Sequence, residues 1–349
     1  MGQTKSGDES LKRWGEVLEG INIHKKPDYQ NKKRVLARLT ARARRRLWAF
    51  AILKSLGIHG HNLNLLQSLR PVLALYPTDK ELVNETRKYL RRLNRKSLEK
   101  FRNSLKGKGN LIIMVVGCIK NEKQLRNTIG RIRQAQTKFS VVGIVGSKNK
   151  ADWKIKYDNK YGILQLPCSD GYEGLTEKII WGCLAIELGK GGTTVVKVDE
   201  DTKSIDSRKI ETLRNQMILE GAKAAGSPIS VETPLQIDRG WHLGKSKGKS
   251  NWQPYEGIGP KIWMSGGAGY LLMPEAVQTV GDFALHSWQF VKSQIYEDLT
   301  ISWIVDSCCG KIHWIEQLEK MGIENERSRD IMEGSTYHNP EDLKEDKRK

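Results

Sequence analysis

From Leu111 onward, apolar strand-like runs alternate with amphipathic helical runs, and this order constrains the fold more than any other feature of the chain. The run "LIIMVVGCI" (111–119) is almost wholly apolar, which is typical of a strand buried on both faces. It is followed by a helical pattern at 121–136, strand-like runs at 140–146 and 162–167, a helical pattern at 171–189, and the strand-like "TTVVKVD" at 193–199. This β-α-β order predicts parallel strands joined by right-handed crossovers, and therefore a Rossmann-like α/β sheet.

The first third of the chain differs in charge and in pattern. Residues 1–110 hold 26 Lys and Arg against 9 Asp and Glu, whereas the remaining residues hold 33 against 31. Leucines at helical spacing between arginines predict a helix over 32–56, stopped by Gly57, with further helices over 61–75 and from Asp79 to about Leu105. We expect four segments: a polar lead at 1–30, a basic helical segment at 31–106, an α/β domain at 107–340 and a charged tail at 341–349.

The sequence does not decide what the basic helices bind. Arg-rich amphipathic helices bind acidic membrane surfaces, and the 32–56 helix fits such a partner. A helical hairpin packed on the α/β domain with a merely solvated basic face explains the same pattern, and nucleic acid is the partner that we favour least. The start "MGQTKS" formally matches an N-myristoylation pattern at Gly2.

The five cysteines indicate a reducing compartment. They form no CxxC pair, their number is odd, and two of them are adjacent, so neither a disulfide framework nor a zinc ribbon is expected. The longest early apolar run, "LWAFAIL" (47–53), is too short to span a bilayer. We therefore expect a cytoplasmic protein, peripheral at a membrane if the basic helix binds lipid.

Three acids follow the last strand of this pattern, at Asp199, Glu200 and Asp201. Ligands of open α/β sheets bind at the carboxyl ends of the strands, where this triplet is expected to lie. An Asp-x-Asp there suits a divalent cation, because such ions prefer hard oxygen ligands. Acids also follow strands in ordinary solvated turns, so the triplet alone leaves both interpretations open.

Three later segments add candidate functional groups. The block "WMSGGAGYLLMPEAV" (263–277) places Gly266, Gly267 and Gly269 where backbone could approach a sugar or phosphate closely, and Pro274 at a helix start. The segment "YEDLTISWIVDSCCG" (296–310) opens a helix with Glu297 and Asp298. His338 lies in "GSTYHNP" (334–340). Each has an ordinary structural explanation: a tight turn, acids that complement a helix dipole, and a structural histidine.

Together and in this order, the blocks resemble the inverting β-1,3-glycosyltransferases that include Fringe and the core 1 β-1,3-galactosyltransferases. The blocks are "YEGLTEKIIWGCLAIE", "VVKVDEDT", "WMSGGAGYLLMPEA" and "YEDLTIS", and the resemblance covers about Leu111 to Pro340. It implies the GT-A fold, a UDP-sugar donor with Mn²⁺ or Mg²⁺, and a glycan, glycolipid or glycoprotein acceptor. The implied reaction moves a hexose or N-acetylhexosamine to an acceptor hydroxyl in one inverting displacement, with a β-1,3 linkage.

The resemblance also implies roles for individual residues. Asp201 would be the main metal ligand, Asp199 a metal ligand nearer the nucleotide ribose, His338 a late metal ligand and Asp298 the catalytic base. The residues implied to contact the donor are Lys120, Asn121, Lys178, Gly266, Gly267 and Gly269.

The chain also departs from the family pattern. Animal members carry a membrane anchor and lumenal disulfides, which this sequence does not indicate. Glu200 stands where the family more often has Asp, and we expect its side chain to point away from the site. Two other functions stay open: a catalytically inactive GT-A-like module that binds or assists a partner, and, on charge alone, a nucleic-acid-binding protein.

Overall fold

The computed structural model describes residues 29–59, 63–135, 138–147, 152–230 and 262–325, with backbone only for 29–40, 58–59 and 230. The chain divides into two compact units, Met1–Ala49 and Phe50–Lys349. The predictions for most of the polar lead, for Gly2, for His338 and for the charged tail lie outside the described residues.

Ten helices and twelve strands are described. The helices are α1 Tyr29–His59, α2 Leu63–Leu75, α3 Lys80–Leu93, α4 Arg95–Ser104, α5 Glu122–Ala135, α6 Leu175–Gly189, α7 Ser207–Glu220, α8 Pro274–His286, α9 Trp288–Ser293 and α10 Glu297–Cys308. The strands are β1 Leu111–Val116, β2 Ser140–Val145, β3 Lys156–Asp158, β4 Ile163–Gln165, β5 Thr194–Asp199, β6 Thr202–Ile205, β7 Ala224–Gly226, β8 Pro228–Ser230, β9 Ile262–Met264, β10 Tyr270–Leu272, β11 Ile312–Trp314 and β12 Ile323–Asn325.

The fold is mixed α/β, built on a mostly parallel central sheet of eight strands flanked by helices. The strand order is β11-β7-β10-β5-β1-β2-β4-β3. The parallel core β5-β1-β2-β4 is the part that the β-α-β pattern predicts, and it is compatible with a Rossmann-like fold. β1 and β2 are buried along their whole length, as continuous apolar strands between two helical layers should be.

Two strands run against the others. β3 pairs antiparallel with β4 at one edge, and β10 lies antiparallel between β5 and β7. The position of β10 matters because this strand belongs to the glycine-rich block 263–277 and brings it into the centre of the sheet. Apart from the central sheet, β6 and β12 form a two-stranded antiparallel sheet, and β6 begins shortly after the end of β5.

The sequence sets the basic helical segment 31–106 apart from the α/β domain 107–340, whereas the second compact unit begins at Phe50 and includes α2 to α4. Helices α2 and α3 pack against α8, and α4 packs against α6. Arg87 of α3 donates from Nε and Nη2 to the carboxylate of Asp282 in α8, and Arg102 of α4 donates to the carbonyl of Gly189. These helices pack on the α/β part because each has an apolar face to bury. That face includes Leu82, Leu90 and Phe101, which are fully buried.

Two helix ends also differ from expectation. The third helix is interrupted at Asn94, whose side chain donates to the carbonyl of Trp153 and accepts from the amide of Ile155. These contacts fix the break between α3 and α4. Gly57 does not end α1, which continues to His59, since a glycine near the end of a helix costs only about 1 kcal/mol. Within the described part of the chain, no helix is both long and apolar enough to cross a membrane.

Candidate active site

The acid triplet lies at the carboxyl end of the central strands, as the sequence pattern predicts. Asp199 is the last residue of β5 and pairs in register with Val116, the last residue of β1. The strand residues from Thr194 to Val198 are buried, whereas the Asp199 side chain is about one-third exposed. Asp201 is also partly exposed. Both residues are therefore partly exposed beside this edge of the sheet.

The glycine loop joins β9 to β10 and reaches the same edge, because β10 pairs with β5. Gly269 has φ of +80°, and a Cβ there would lie 2.8 Å from the carbonyl oxygen of Lys197. At Gly266 a Cβ would lie 3.0 Å from Oε2 of Glu297 and 3.1 Å from Cβ of Asp298. The backbone conformation at Gly269 favours glycine, and at Gly266 an added Cβ would be tightly packed against α10. Gly267 is exposed, and its carbonyl accepts from the side-chain amide of Asn325.

Asp298, the predicted catalytic base, lies in the first turn of α10 beside the glycine loop. Its Oδ2 accepts from the backbone N–H of Gly266 at 3.1 Å, and its Oδ1 accepts from the N–H of Leu299 at 2.8 Å. Burial raises the pKa of this carboxyl, and the two amides act in the opposite direction. The two amides thus hold the Asp298 carboxylate in one orientation, and the residue as a whole is partly exposed.

A buried lysine joins the two acidic segments. Lys197 of β5 is 1% exposed, and its Nζ lies 2.8 Å from Oδ1 of Asp199, 2.8 Å from the carbonyl of Gly266 and 3.7 Å from Oε2 of Glu297. The hydroxyl of Tyr270 donates to the other oxygen of Glu297. Burial raises the pKa of Glu297 to about 7 against the opposing effect of Lys197. For Lys197 burial lowers the pKa, but Asp199 and Glu297 outweigh it and the net shift is upward.

Tyr172 borders the same acids, in a short 3₁₀ turn ahead of α6. Burial raises the pKa of its phenol, and the charges of Asp298, Glu297 and Asp199 raise it further. The phenol therefore stays protonated and can act as a hydrogen-bond donor. The sequence already singled out Glu297 as a candidate, whereas only weak signals pointed to the other buried groups: a lysine in the otherwise apolar "VVKVD" and a tyrosine in each of the blocks "YEGLTEKIIWGCLAIE" and "WMSGGAGYLLMPEA".

The residues expected to contact the donor at the end of β1 have different environments. Lys120 is exposed in a 3₁₀ turn. Asn121 donates from its side chain to Oε1 of Glu200 at 2.7 Å. Lys178 is 3% exposed, and its Nζ donates to the carbonyls of Gly117 and Asp170 and lies 3.6 Å from Oδ1 of Asp170. Lys178 therefore supports the end of β1, and direct contact with a ligand would require it to give up these partners.

Glu200 is more than a spacer between the two aspartates. Its carboxylate accepts from Asn121, and its carbonyl accepts from the hydroxyl of Thr128 in α5. Its Oε2 is buried, and a Cβ at Gly117 would lie 2.9 Å from it. Burial raises the pKa of this carboxyl. Glu200 thus turns inward, toward the connection between β1 and α5, and fixes the turn from which Asp199 and Asp201 extend.

Sequence reasoning missed Asp170, which ties the ends of two strands together. Its Oδ2 accepts from the N–H of Ile119, after β1, and its Oδ1 accepts from the N–H of Gly146, after β2. The aspartate precedes a glycine and the 3₁₀ turn that leads into α6, a pattern that a turn-forming residue would also produce. Its contacts become apparent only when the two strands are placed side by side.

The site offers two hard oxygen ligands to a divalent cation. Asp199 and Asp201 are partly exposed on one short turn, which suits Mn²⁺ or Mg²⁺. Lys197 contacts Oδ1 of Asp199, so Oδ2 is the oxygen of that residue better placed for a metal. Across residues 29–325 where described, no cluster of three or more His, Cys, Asp or Glu is arranged to hold a metal. The predicted third ligand, His338, lies outside that part of the chain.

Comparisons with known proteins assign no family to the chain. No protein-family model matches it, and no curated protein matches it significantly. The resemblance to inverting β-1,3-glycosyltransferases therefore rests on the sequence blocks.

Proposed function

We propose that the chain is a metal-dependent inverting glycosyltransferase of the GT-A fold. It would transfer a hexose or N-acetylhexosamine from a UDP-sugar to an acceptor hydroxyl and form a β-1,3 linkage. The observation that carries the proposal is the meeting of Asp199 and Asp298 at one edge of the sheet. These carboxylates are 99 positions apart in the chain, yet both are held through Gly266 and Lys197.

Asp298 has the properties that a general base requires. Each of its oxygens accepts one backbone N–H, and a carboxylate oxygen has a further lone pair for an acceptor hydroxyl. Burial raises its basicity, which favours proton uptake as the hydroxyl attacks the anomeric carbon. Asp298 is partly exposed as a residue, which would admit an acceptor from solvent.

The turn that carries Asp199 and Asp201 (the acidic turn) and the end of β1 would bind the donor. A divalent cation, when bound by Asp199 and Asp201, supplies charge neutralisation for a diphosphate leaving group. Exposed Lys120 would add a positive charge near that diphosphate. Glu200, Asn121 and Lys178 would act by fixing the backbone around it.

A donor panel tests the proposal. UDP release from several UDP-sugars is measured with and without Mn²⁺ for the wild type, Asp201→Ala and Asp298→Asn. We expect Mn²⁺-dependent release that Asp201→Ala abolishes, and a fall in kcat of about 10³-fold for Asp298→Asn, within the range that loss of a general base produces. Asp306→Asn is the matched control, because Asp306 is an exposed aspartate of the same helix.

The outcomes separate the candidate functions. Mn²⁺-dependent UDP binding without turnover of any donor would favour the inactive binding module. Absence of both binding and turnover would contradict the proposal. Full activity in Asp298→Asn would remove that residue as the base.

A further inference from the structure

Lys197 is a buried lysine in the centre of a largely apolar sheet. It lies on β5 between β1 and β10, opposite Met114 on one side and Tyr270 on the other. Burial of an ammonium costs several kcal/mol unless paired charges and hydrogen bonds compensate for it. A lysine at this position therefore needs well-placed acceptors, and its surroundings supply them.

The acceptors come from three separate segments. Asp199 is two residues ahead on the same strand, the carbonyl of Gly266 belongs to the glycine loop, and Glu297 opens α10. An ammonium has three N–H donors, so one Lys197 can hold all three segments together. The ring of Tyr270 lies beneath the ammonium, with its centroid 5.6 Å away.

The Gly266 peptide extends this contact to the proposed base. Its carbonyl accepts from Lys197, and its N–H donates to Oδ2 of Asp298. The position of one glycine therefore depends on both the buried lysine and the aspartate of α10. Asp199, on the donor side, and Asp298, on the acceptor side, are thus joined through Lys197 and Gly266.

We propose that Lys197 is a positioning residue that sets the orientation of Asp199 directly and that of Asp298 through the Gly266 peptide. The expected effect on catalysis rests on the proposed function. The effect of Lys197 on the orientation of Asp199 and Asp298 does not. Lys197 also leaves Asp199 one oxygen for a cation and places a positive charge beside it. Its loss frees the second oxygen and removes that charge, so cation binding and catalysis should change in opposite directions.

The test compares Lys197→Met with the matched control Tyr270→Phe. Tyr270→Phe removes a hydroxyl that donates to Glu297 and so disturbs the same buried cluster, but it leaves the contacts of Lys197 with Asp199 and Gly266 in place. Three readouts are used: the ¹⁵N-glycine amide signal of Gly266, Mn²⁺ binding by electron paramagnetic resonance, and kcat with KM for the active donor.

For Lys197→Met we expect a shifted Gly266 amide signal, Mn²⁺ binding a few-fold tighter, and a fall in kcat of about 100-fold, the effect of misplacing a catalytic group by about 1 Å. Tyr270→Phe should leave the Gly266 signal and the Mn²⁺ affinity unchanged, even where it lowers thermal stability. If Lys197→Met does not fold, the double variant Lys197→Met/Glu297→Gln removes both buried charges and gives the same readouts.

An unchanged Gly266 signal in the folded lysine variant would overturn the inference. So would a parallel fall in Mn²⁺ affinity, activity and thermal stability that Tyr270→Phe reproduces. If the wild type releases no UDP but Lys197→Met alone shifts the Gly266 signal, the proposed function fails while the positioning role stands.

Discussion

At the scale of single residues, buried ionisable groups determine how the protein responds to pH. His286, the last residue of α8, is 8% exposed and lies beside Phe283, with its Nδ1 2.8 Å from the hydroxyl of Ser287. Burial lowers the pKa of this imidazole from 6.5 to about 4, and the charge of Arg87 contributes in the same direction. The folded protein therefore keeps His286 neutral where the unfolded chain would protonate it.

This shift predicts acid sensitivity with a defined window. Because the folded pKa is depressed, the stability that neutral His286 provides is present above pH 6.5 and is lost as pH falls toward 4. Between pH 7 and pH 5 the wild type should lose about 2 kcal/mol more free energy of unfolding than His286→Gln. Urea unfolding of both proteins at the two pH values measures this, and equal losses would show that His286 does not contribute.

At the scale of elements, the glycine loop shows what the sequence could and could not predict. The motif indicated that Gly266, Gly267 and Gly269 allow a close approach, and the structure gives two of them specific neighbours. Those neighbours are protein groups, Glu297 and Asp298 at Gly266 and the Lys197 carbonyl at Gly269, rather than only a ligand. No local pattern could identify them, because they belong to segments brought together by the pairing of β10 with β5.

Replacement of Gly269 should therefore be much more costly than replacement of a glycine with the same backbone conformation in open space. Gly221 has φ of +68°, and a Cβ at that position would have no atom within 4 Å, whereas a Cβ at Gly269 would lie 2.8 Å from the carbonyl oxygen of Lys197. We expect Gly221→Ala to cost about 1 kcal/mol and Gly269→Ala about 3 kcal/mol, the excess being the backbone clash. Urea unfolding measures both, and equal costs would contradict a tightly packed loop.

For the helices, too, the sequence predicted the elements but not the long-range contacts that shape them. The amphipathic spacing predicted helices over the segments of α2 to α4, and the structure confirms that they are helical. The break at Asn94 was missed because nothing local requires it. It depends on hydrogen bonds to Trp153 and Ile155, about 60 positions away in the chain.

At the scale of the whole molecule, the parallel core β5-β1-β2-β4 follows from the sequence, because apolar strands separated by helices admit few arrangements. The antiparallel strand β10 does not follow, since its partners are far away in the chain. The prediction of acids at the strand ends is confirmed for Asp199, while the buried Lys197 and Glu297 that accompany it required the assembled sheet.

The charge asymmetry supports a prediction for the full chain. Arg44 and Arg45 are exposed on α1, as is Trp48. The membrane hypothesis predicts co-sedimentation with acidic lipid vesicles at low salt, weakened by high salt and by Arg44→Glu/Arg45→Glu. No binding to acidic vesicles at low salt would instead favour a merely solvated basic face.

We propose that the carboxyl edge of the sheet, between the turn with Asp199 and Asp201 and the glycine loop, binds a nucleotide-sugar with its cation. Paramagnetic broadening of ¹⁵N-glycine signals by Mn²⁺ and UDP tests it most directly. Gly266 and Gly267 lie at that edge, whereas Gly192 and Gly221 precede β5 and β7 at the opposite edge. We predict selective broadening of Gly266 and Gly267 that requires Asp201, and uniform broadening, or broadening confined to Gly192 and Gly221, would contradict the account.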